Sequence, residues 1–514
     1  MKDRIKKLFS EKKDFIHPSS ILLIWFFIIF FFIKNNIGNS SFWFDESGQF
    51  WIAKGLNHYS QSFSVAGNLW QVLSNNIKFN LDPGGFSIIL HFWTMLSNNL
   101  LFLRILPLSF FILAIILVSK LCIIWKPKNY LAYLGGFILL LSPILNYYAF
   151  ELRPYSMEIL ATILSIYFCY KIKDILNDYK YASFSGILLA FLLTSRYSVL
   201  FSIISLTIII FYTLIFKSFK KKNIINFIIF ILPIIISCFL IYEFTLQYQN
   251  PTGIPPSYVN ELMFKTWPVS DVLFNKLIDK TTLKVLFPFL SLILLYLISF
   301  KNNYLKNILK TYNLFFYYSL ILNLIFIILS FLGKYPWAIN SRWNISIHSL
   351  FIISWLPLIF ILMDFLSVKK NFLFKSFRII ILAIFIIYSF DKAYTFRYIT
   401  SDLIYLNYTK NNVSPDSKIL INTEASPTLR YLFEYGSLKN FKNSYTYKNF
   451  SMFNDTDSDS IKNFDKVDNY DYIILTGLDY SKSNIKNILD QKPNWIDATV
   501  GEKSKLLKNI NTVK

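Results

Sequence analysis

The chain has 514 residues, of which 54% are hydrophobic and 19% are aromatic. A soluble domain of this size could not bury so much apolar surface, so the composition excludes a soluble protein and predicts a polytopic membrane protein. The formal net charge of +22 is divided among short clusters between the apolar segments, a pattern that indicates orientation in a bilayer and excludes a nucleic-acid-binding face.

Eleven apolar runs are long enough to cross the hydrocarbon core of a bilayer, which is about 30 Å thick. No small-residue cleavage site follows the first run, so we expect a retained span and not a signal peptide. A further run at residues 86–96 is too short to cross unaided. The predicted spans lie near residues 18–34, 101–125, 130–149, 155–171, 181–195, 196–216, 224–244, 284–300, 312–333, 343–364 and 376–393.

The positions of Lys and Arg decide how residues 86–96 are placed. If this run does not cross the membrane, the basic clusters between Lys126 and Arg378 lie on the same side as the basic N-terminus, as the positive-inside rule requires. We therefore predict a re-entrant or surface helix for this run and a cytoplasmic N-terminus. The segments expected outside the cytoplasm are 35–100, 149–155, 245–283, 334–342 and 394–514.

The C-terminal part of the chain differs in composition, because Asn, Asp, Ser, Lys and Tyr replace the long runs of Ile, Leu and Phe. We expect a transmembrane domain at residues 1–393 and a separate extracytoplasmic α/β domain at 394–514. In the second domain, strands are predicted at 417–424 and 470–477, helices at 426–436 and 481–491, and a polar, mobile insert around 453–466.

The acidic pair Asp45-Glu46 lies in the aromatic segment 42–57, just after the first span. Carboxylates among aromatic side chains at a membrane surface are costly to desolvate, so they need a partner or a function. Neighbouring side chains point about 100° apart on a helix, so only one of the two can serve as a base. The pattern is equally typical of Asp45 as the N-cap of an interfacial helix, with Phe50 and Trp51 entering the membrane.

The next motif begins with the turn Asp82-Pro83-Gly84-Gly85. This turn would bring a carboxylate and backbone amides to the mouth of the helix bundle, or it would simply cap the short helix that follows. His91 lies in that helix, and a histidine in an apolar run is more often a packed side chain than a proton carrier.

Residues 146–155, NYYAFELRPY, form an aromatic corner between two predicted spans. Glu151 and Arg153 would lie there beside Tyr155, either as an ion pair in an aromatic belt or as part of a phosphate site. The planar guanidinium of Arg153 can bind a phosphate bidentately, and Pro154 stiffens the corner that presents it.

Three more cations face the same compartment in this topology: Arg196, Lys334 and Arg342. Lys and Arg usually concentrate on the cytoplasmic side of a membrane, so cations at membrane depth on the translocated side are unusual. They require a counter-charge, which a phosphate would supply. The alternative is that these side chains extend to lipid headgroups.

The sequence predicts no metal site of defined geometry. No CxxC or Cys/His spacing occurs. A divalent cation near a phosphate is possible at Asp45, Glu46 and Asp82, but these carboxylates lack a defined spacing.

Taken together, the motifs resemble the GT-C glycosyltransferases, in particular the bacterial branch with lipid A aminoarabinose transferases and protein O-mannosyltransferases. The resemblance covers about residues 18–365. It rests on the acidic pair, the D-P-x6-L-H-x-W run at Asp82–Trp93, the corner at Ser142–Tyr155, and the pair Arg342-Trp343.

This resemblance implies an all-α polytopic membrane fold and transfer of a sugar from a polyprenyl-phosphate carrier to a glycan, lipid or protein acceptor. The reaction would take place at the outer face of the bacterial cytoplasmic membrane, with Asp45 as base and inversion of the anomeric centre. Family members often have His-Pro-Pro where this chain has Asp82-Pro83-Gly84, and some have a phosphate-binding lysine there. In this chain the phosphate contact would fall to an arginine or to Lys334.

The candidate catalytic residues are therefore Asp45 and Glu46. The candidate substrate-binding residues are Asp82, His91, Glu151, Arg153, Tyr155, Arg196, Lys334 and Arg342. Two other functions use lipid-linked saccharides: a flippase or transporter, which would place ionisable groups in mid-span, and an O-antigen polymerase or ligase, which relies on large external loops with paired arginines.

Overall fold

We describe the protein from a computed structural model. The described residues are 18–38, 42, 44–56, 67–127, 129–217, 219–249, 280–332, 335, 342–368, 372–395, 413–421, 426–436, 438, 440, 445–447, 469–476, 493–498 and 504–511. Lys334, most of segment 245–283, the predicted helix 481–491 and the predicted insert 453–466 lie outside these residues.

Helices form the described chain as far as Thr395. They are α1 Pro18–Asn36, α2 Phe44–Ala53, α3 Leu69–Phe79, α4 Gly85–Leu96, α5 Leu100–Trp125, α6 Tyr130–Leu134, α7 Pro143–Phe150, α8 Tyr155–Tyr170, α9 Ile172–Asn177, α10 Tyr179–Leu193, α11 Val199–Lys217, α12 Lys221–Phe244, α13 Lys280–Ser299, α14 Asn303–Leu309, α15 Asn313–Phe331, α16 Ile345–Ile353, α17 Trp355–Val368 and α18 Phe372–Thr395. A 3-10 helix, Gly135–Leu141, joins α6 to α7.

Each predicted span coincides with one helix or with consecutive helices. Among the described residues, six continuous helical segments are by length and composition able to cross a membrane, and the pair Tyr130–Leu141 and Pro143–Phe150, bent by 83°, counts as a seventh when it is taken as one span. Other predicted spans are shorter apolar helices, such as α8 and α10. The run at 86–96 forms the separate 12-residue helix α4. The chain is thus a multi-pass membrane protein.

Helix α8 lies at the centre of the bundle. Fourteen of its 16 residues are buried, and it packs against α5, α11, α15 and α16. Its sequence, YSMEILATILSIYFCY, has apolar residues on every side of the helix, and such a helix is stable only when it is enclosed on all sides. The one charged residue in it is Glu158. Because α8 begins directly after the corner at 151–154, its N-terminus positions that corner against the neighbouring helices.

The described C-terminal residues form a five-stranded mixed sheet. Its strands are β1 Ile419–Ile421, β2 Tyr445–Tyr447, β3 Tyr472–Thr476, β4 Trp495–Asp497 and β5 Ser504–Asn509, in the order β2-β1-β3-β5-β4. The predicted strands at 417–424 and 470–477 are confirmed as β1 and β3, which pair in parallel. Helix α19, Ser426–Glu434, follows β1 as predicted. The domain boundary at 393 stays a prediction.

Candidate functional site

Helix α2 carries the acidic pair in its first turn, where carboxylates interact favourably with the helix dipole. Asp45 therefore lies inside the helix and not at an N-cap position. Phe50 and Trp51 are fully buried against protein, where they contact Tyr431 and Tyr435 of the C-terminal part. The alternative of an interfacial helix with these two side chains in the membrane is thus wrong.

Glu46 is occupied by structural contacts. Its Oε2 lies 3.0 Å from Nη2 of Arg104, both side chains are inaccessible to solvent, and its Oε1 accepts the Leu152 N–H at 3.0 Å. These contacts join α2 to α5 and to the corner that precedes α8. A carboxylate held by a buried guanidinium and a backbone amide is not available as a base, so the structure assigns Glu46 to positioning, contrary to its prediction as catalytic.

Asp45 lies on a different side of α2 and is part of a charged network. Its Oδ2 accepts a hydrogen bond from Nη1 of Arg342 at 2.5 Å. The backbone carbonyl of Arg342 accepts a second bond from Arg196 at 2.9 Å. Arg196 in turn contacts Asp82 at 3.3 Å, and Asp82 contacts Arg153 at 3.4 Å. The structure therefore brings together Asp45, Asp82, Arg153, Arg196 and Arg342, which are spread over 298 sequence positions.

We call these five residues, together with Glu158, the charged network. Glu158 projects from the first turn of α8, is fully buried, and accepts from Arg196 at 2.5 Å and from Ser346 at 2.6 Å. The sequence analysis missed Glu158 and also Arg104. Both carried a usable signal, because an ionisable residue inside a long apolar run is by default a functional or structural site.

Aromatic rings hold the arginines of the network. The guanidinium carbon of Arg196 lies 4.7 Å from the ring centre of Tyr155, and that of Arg153 lies 6.0 Å from the same ring. Arg342 lies over the ring of its neighbour Trp343 at 5.5 Å. Such cation–π contacts restrain a guanidinium in one plane, so the predicted position of Tyr155 in the site has a physical basis.

Exposure decreases steadily along the network. The side chains of Arg342 and Asp45 are 39% and 22% exposed, those of Arg153 and Asp82 are 17% and 11% exposed, and Arg196 is 6% exposed. Arg342, Asp45 and Arg153 thus form the accessible end, whereas Arg196 and Glu158 form the buried end. A ligand that enters the site meets the accessible end first.

The turn at Asp82 depends on its glycines. Gly84 has φ +102°, in the left-handed region that glycine adopts without strain. Gly85 donates its N–H to the Thr194 carbonyl at 2.9 Å, and a Cβ at Gly85 would lie 1.9 Å from Thr194 Oγ1. This close approach of two loops places Asp82 beside Arg196.

Glu151 is buried and unpaired. Neither of its carboxyl oxygens has a hydrogen-bond partner among the described residues, so the predicted ion pair with Arg153 is not formed there. Burial raises the pKa of the Glu151 carboxyl well above its ordinary value, and the nearby Glu46 raises it further, while Arg153 opposes the shift. The protonated form is therefore favoured.

His91 has a packing role. Its Nδ1 donates to the carbonyl of Ala53 at 2.7 Å, which fixes α4 to the end of α2. Its ring is buried, and its hydrogen bond is directed to the backbone and not to the charged network.

The carboxylates proposed for a divalent cation each face an arginine. Asp45 pairs with Arg342, Glu46 pairs with Arg104, and Asp82 contacts two arginines. Among the described residues, no group of three or more His, Cys, Asp or Glu side chains is arranged to hold a metal ion.

An apolar groove lies beside the network. It has a volume of about 1040 Å³ and is formed by α3, α4, α10 and α12. Pro83 and Thr194 are part of its wall, one and two residues from Asp82 and Arg196. Other wall residues are Leu73, Ile77, Phe191, Leu232, Leu240 and Phe244.

No family model matches the sequence, and no curated protein matches it. Two solved structures are similar along almost their whole length. The crystal structure of ArnT from Cupriavidus metallidurans bound to undecaprenyl phosphate has a TM-score of 0.54 and 9% identity, and the match covers 97% of this chain and 99% of that chain. The apo state of the same protein gives a TM-score of 0.53 and 9% identity, with coverage of 96% and 97%. At this identity the likeness concerns the fold alone: the chain has the fold of these two ArnT structures, a polytopic membrane fold as the resemblance implies.

Proposed function

We propose that this protein is an integral membrane glycosyltransferase of the GT-C type, located in the bacterial cytoplasmic membrane. It transfers a sugar from a polyprenyl-phosphate donor to a hydroxyl acceptor at the outer face, with Asp45 as general base and with inversion. The observation that supports this proposal best is the charged network, a chain of contacts that connects Asp45 to three arginines. Two of its members, Asp82 and Arg196, are one and two residues along the chain from Pro83 and Thr194 in the wall of a large apolar groove.

The arginines suit a lipid-linked phosphate. Arg153 and Arg342 lie at the accessible end, so they are the groups that would bind phosphate oxygens. Arg196 is enclosed by Glu158, Asp82 and the Arg342 carbonyl, so its role is to keep the other groups in place. Lys334, outside the described residues, remains a candidate for the same phosphate.

The groove suits a polyprenyl tail. Its described walls are almost wholly apolar, and its volume lies at the upper end of the roughly 300–1,000 Å³ typical of small-molecule sites. The similar ArnT structure contains undecaprenyl phosphate, a lipid of this chemical class. A tail in the groove would bring its phosphate to Asp82 and the arginines.

The ion pair between Asp45 and Arg342 implies that the donor binds before Asp45 acts as a base. When a donor phosphate binds Arg342, it competes with the Asp45 carboxylate for the same N–H groups and releases that carboxylate. Asp45 then accepts the proton of the acceptor hydroxyl, whose oxygen attacks the anomeric carbon. The bond from this carbon to the phosphate oxygen breaks, and the arginines stabilise the departing polyprenyl phosphate.

No second carboxylic acid is needed in this scheme. Glycosidases protonate an ordinary leaving oxygen, whereas a phosphate leaves as a stable anion. This is consistent with a network in which the other two carboxylates, Asp82 and Glu158, are held by arginines. The nearby Glu151, outside the network, is buried away from solvent.

The first prediction tests the base. Asp45→Asn should reduce sugar transfer by at least about 100-fold, because general-base catalysis contributes about 10²–10⁴-fold to rates. Transfer is measured with radiolabelled polyprenyl-phosphate sugar and membranes that supply the hydroxyl acceptors.

Asp364→Asn is the matched control, since Asp364 also forms an ion pair, with Lys126, and has a similar side-chain exposure of 29%. It should retain activity. Full transfer by Asp45→Asn would exclude Asp45 as the base. Movement of labelled lipid across the bilayer without transfer would identify a flippase.

A further inference from the structure

Helix α2 has little stability of its own. It contains only 10 residues, including Gly48, and isolated helices of fewer than about 12–15 residues are marginal in water. The direction in which Asp45 points therefore depends on what packs around α2.

The side chains of α2 separate into three faces, because each residue is rotated about 100° from the last. Glu46 and Gln49 form the first face, which contacts Arg104, Asn80 and Ser87 of the membrane part. Asp45 and Gly48 form the second face, which is partly accessible.

Ser47, Phe50 and Trp51 form the third face, centred about 160° from Asp45. All three side chains are fully buried, and each of them contacts a residue of α19 in the C-terminal part. Ser47 Oγ lies 2.9 Å from Thr428 Oγ1. The ring of Phe50 lies 5.0 Å from that of Tyr431, centre to centre.

Arg430 strengthens this contact. Its guanidinium carbon lies 4.2 Å from the ring of Trp51, while its Nε donates to Glu434 at 2.9 Å. The side chains of Arg430 and Glu434 are only 4% and 8% exposed, so the pair is restrained within the interface. A buried cation–π contact of this kind fixes both partners more firmly than an exposed one.

Tyr431 joins three parts of the molecule. Its ring packs on Phe42 at 4.2 Å and on Phe50, and its hydroxyl donates to the carbonyl of Asn98 at 2.8 Å. Phe42 in turn lies under the guanidinium of Arg104, at 5.9 Å, which holds Glu46. Tyr431 is thus the residue through which α19 contacts both α2 and the start of α5.

We infer that α19 is a positioning element for the reaction: it holds α2, from the side opposite Asp45, in the orientation that catalysis requires. The C-terminal part therefore acts on the catalytic rate through Tyr431, although no residue of α19 is placed in the charged network. This inference rests on the proposed function, because it assumes that Asp45 acts on the acceptor.

The test compares two aromatic residues of α19 in the full-length protein. Tyr431→Ala removes the ring that packs on Phe50 of α2, whereas Phe433→Ala removes an equally buried ring about 200° around the same helix. Tyr431→Ala should lower kcat about 100-fold with donor KM changed less than about threefold, as expected when a reacting group is misplaced by about 1 Å. Tyr431→Phe keeps the ring and loses only the hydroxyl, so its kcat should fall less than about tenfold.

Hydrogen exchange of residues 44–53 gives a readout that does not need activity. Tyr431→Ala should accelerate this exchange at least about tenfold, and Phe433→Ala should not, even if both variants melt at the same lower temperature. Equal losses of kcat in the two alanine variants, or unchanged exchange in Tyr431→Ala, would overturn the inference. Full activity of Asp45→Asn would instead refute the proposed base, whatever the exchange result.

A crosslink tests whether the contact must open during turnover. Ser47→Cys and Thr428→Cys combined should form a disulfide, since the two native hydroxyl oxygens lie 2.9 Å apart. The oxidised protein should keep its kcat, because α19 holds α2 in the catalytically active position. Loss of activity on oxidation and its return with a reductant would overturn a static positioning role.

Discussion

At the scale of single residues, the site combines predictable chemistry with unpredictable pairing. Arg153, Arg196 and Arg342 stand out in the sequence as cations that need a counter-charge, and each has a carboxylate partner in the structure. The identity of those partners depends on contacts between residues up to 297 positions apart. Sequence spacing carries no information about such contacts when the intervening chain is a bundle of helices.

Adjacent residues can also have unrelated roles, as Asp45 and Glu46 show. The rotation of about 100° between them predicts different surroundings for the two carboxylates, and the structure shows them: Glu46 pairs with Arg104 and Asp45 with Arg342. The rotation could not identify which of the two is held by Arg104, because the position of Arg104 relative to α2 is set by the packing of α5.

Glu151 supports a prediction about pH. Its pKa is raised by burial, so between the ordinary carboxyl pKa near 4.5 and its own raised pKa the folded protein binds one more proton than the unfolded chain. Its contribution to stability is therefore lost as the pH rises through that window. Glu151→Gln mimics the neutral acid and should remove this loss.

Thermal unfolding at two pH values measures the effect. Relative to the wild type, Glu151→Gln should melt at a similar temperature at pH 4.5 and at a higher temperature at pH 8. Glu158→Gln is the control, and it should melt lower at pH 8 because it breaks a buried pair with Arg196. A Glu151→Gln variant destabilised equally at both pH values would show that the carboxyl is ionised in the fold.

At the scale of elements, hydropathy predicted where helices occur but not how they bend. The run 130–149 was expected as one span, yet it consists of α6, a 3-10 helix and α7 with an 83° bend. The local cause is Pro143, which begins α7 and disfavours a helical conformation at Ser142, the residue at which the chain bends.

The turn that carries Asp82 gives a second element-scale prediction. Gly85→Ala would place a methyl group 1.9 Å from Thr194 Oγ1 and 2.8 Å from the Thr194 carbonyl, so the two loops must separate. Overpacking of this kind costs about 1–3 kcal/mol. Because the same contact places Asp82 beside Arg196, transfer should fall at least about tenfold, as expected for a misplaced site.

Gly48→Ala is the control for stability. An added Cβ at Gly48 meets nothing within 4 Å, and Ala is favoured over Gly in a helix by about 1 kcal/mol. The melting temperature should therefore rise in Gly48→Ala and fall in Gly85→Ala. An unchanged melting temperature in Gly85→Ala would mean that the loops are not packed as described.

At the scale of the whole molecule, the polytopic helical fold was predictable because it rests on many long apolar runs, and these do not depend on exact packing. The strands β1 and β3 were predictable for the same reason, since both lie in short apolar runs, whereas their parallel pairing was found only in the structure. The strands β2, β4 and β5 were not predicted. β2 and β4 have three residues each, which is too short to show a two-residue period, and unlike β1 they contain no run of aliphatic residues. The contact between α19 and α2 was also missed, since its partners are 381 positions apart.

The orientation of the molecule in the membrane stays a prediction from the positive-inside rule. Cysteines introduced at two exposed residues test it with a reagent that does not cross membranes. Asn511→Cys, in the C-terminal part, should react in intact spheroplasts, whereas Lys301→Cys, in a basic turn between α13 and α14, should react only after permeabilisation. The reverse pattern would place the charged network on the cytoplasmic side.

The contact between α2 and α19 has a consequence for protein engineering. Anyone who exchanges the C-terminal part for that of another member of the fold would bring new side chains against Ser47, Phe50 and Trp51 while keeping the old helix beneath them. Such a chimera would lose activity because the new side chains would not pack on α2, even though every residue of the charged network is unchanged. Grafting should therefore move residues 42–53 and 426–436 as one block.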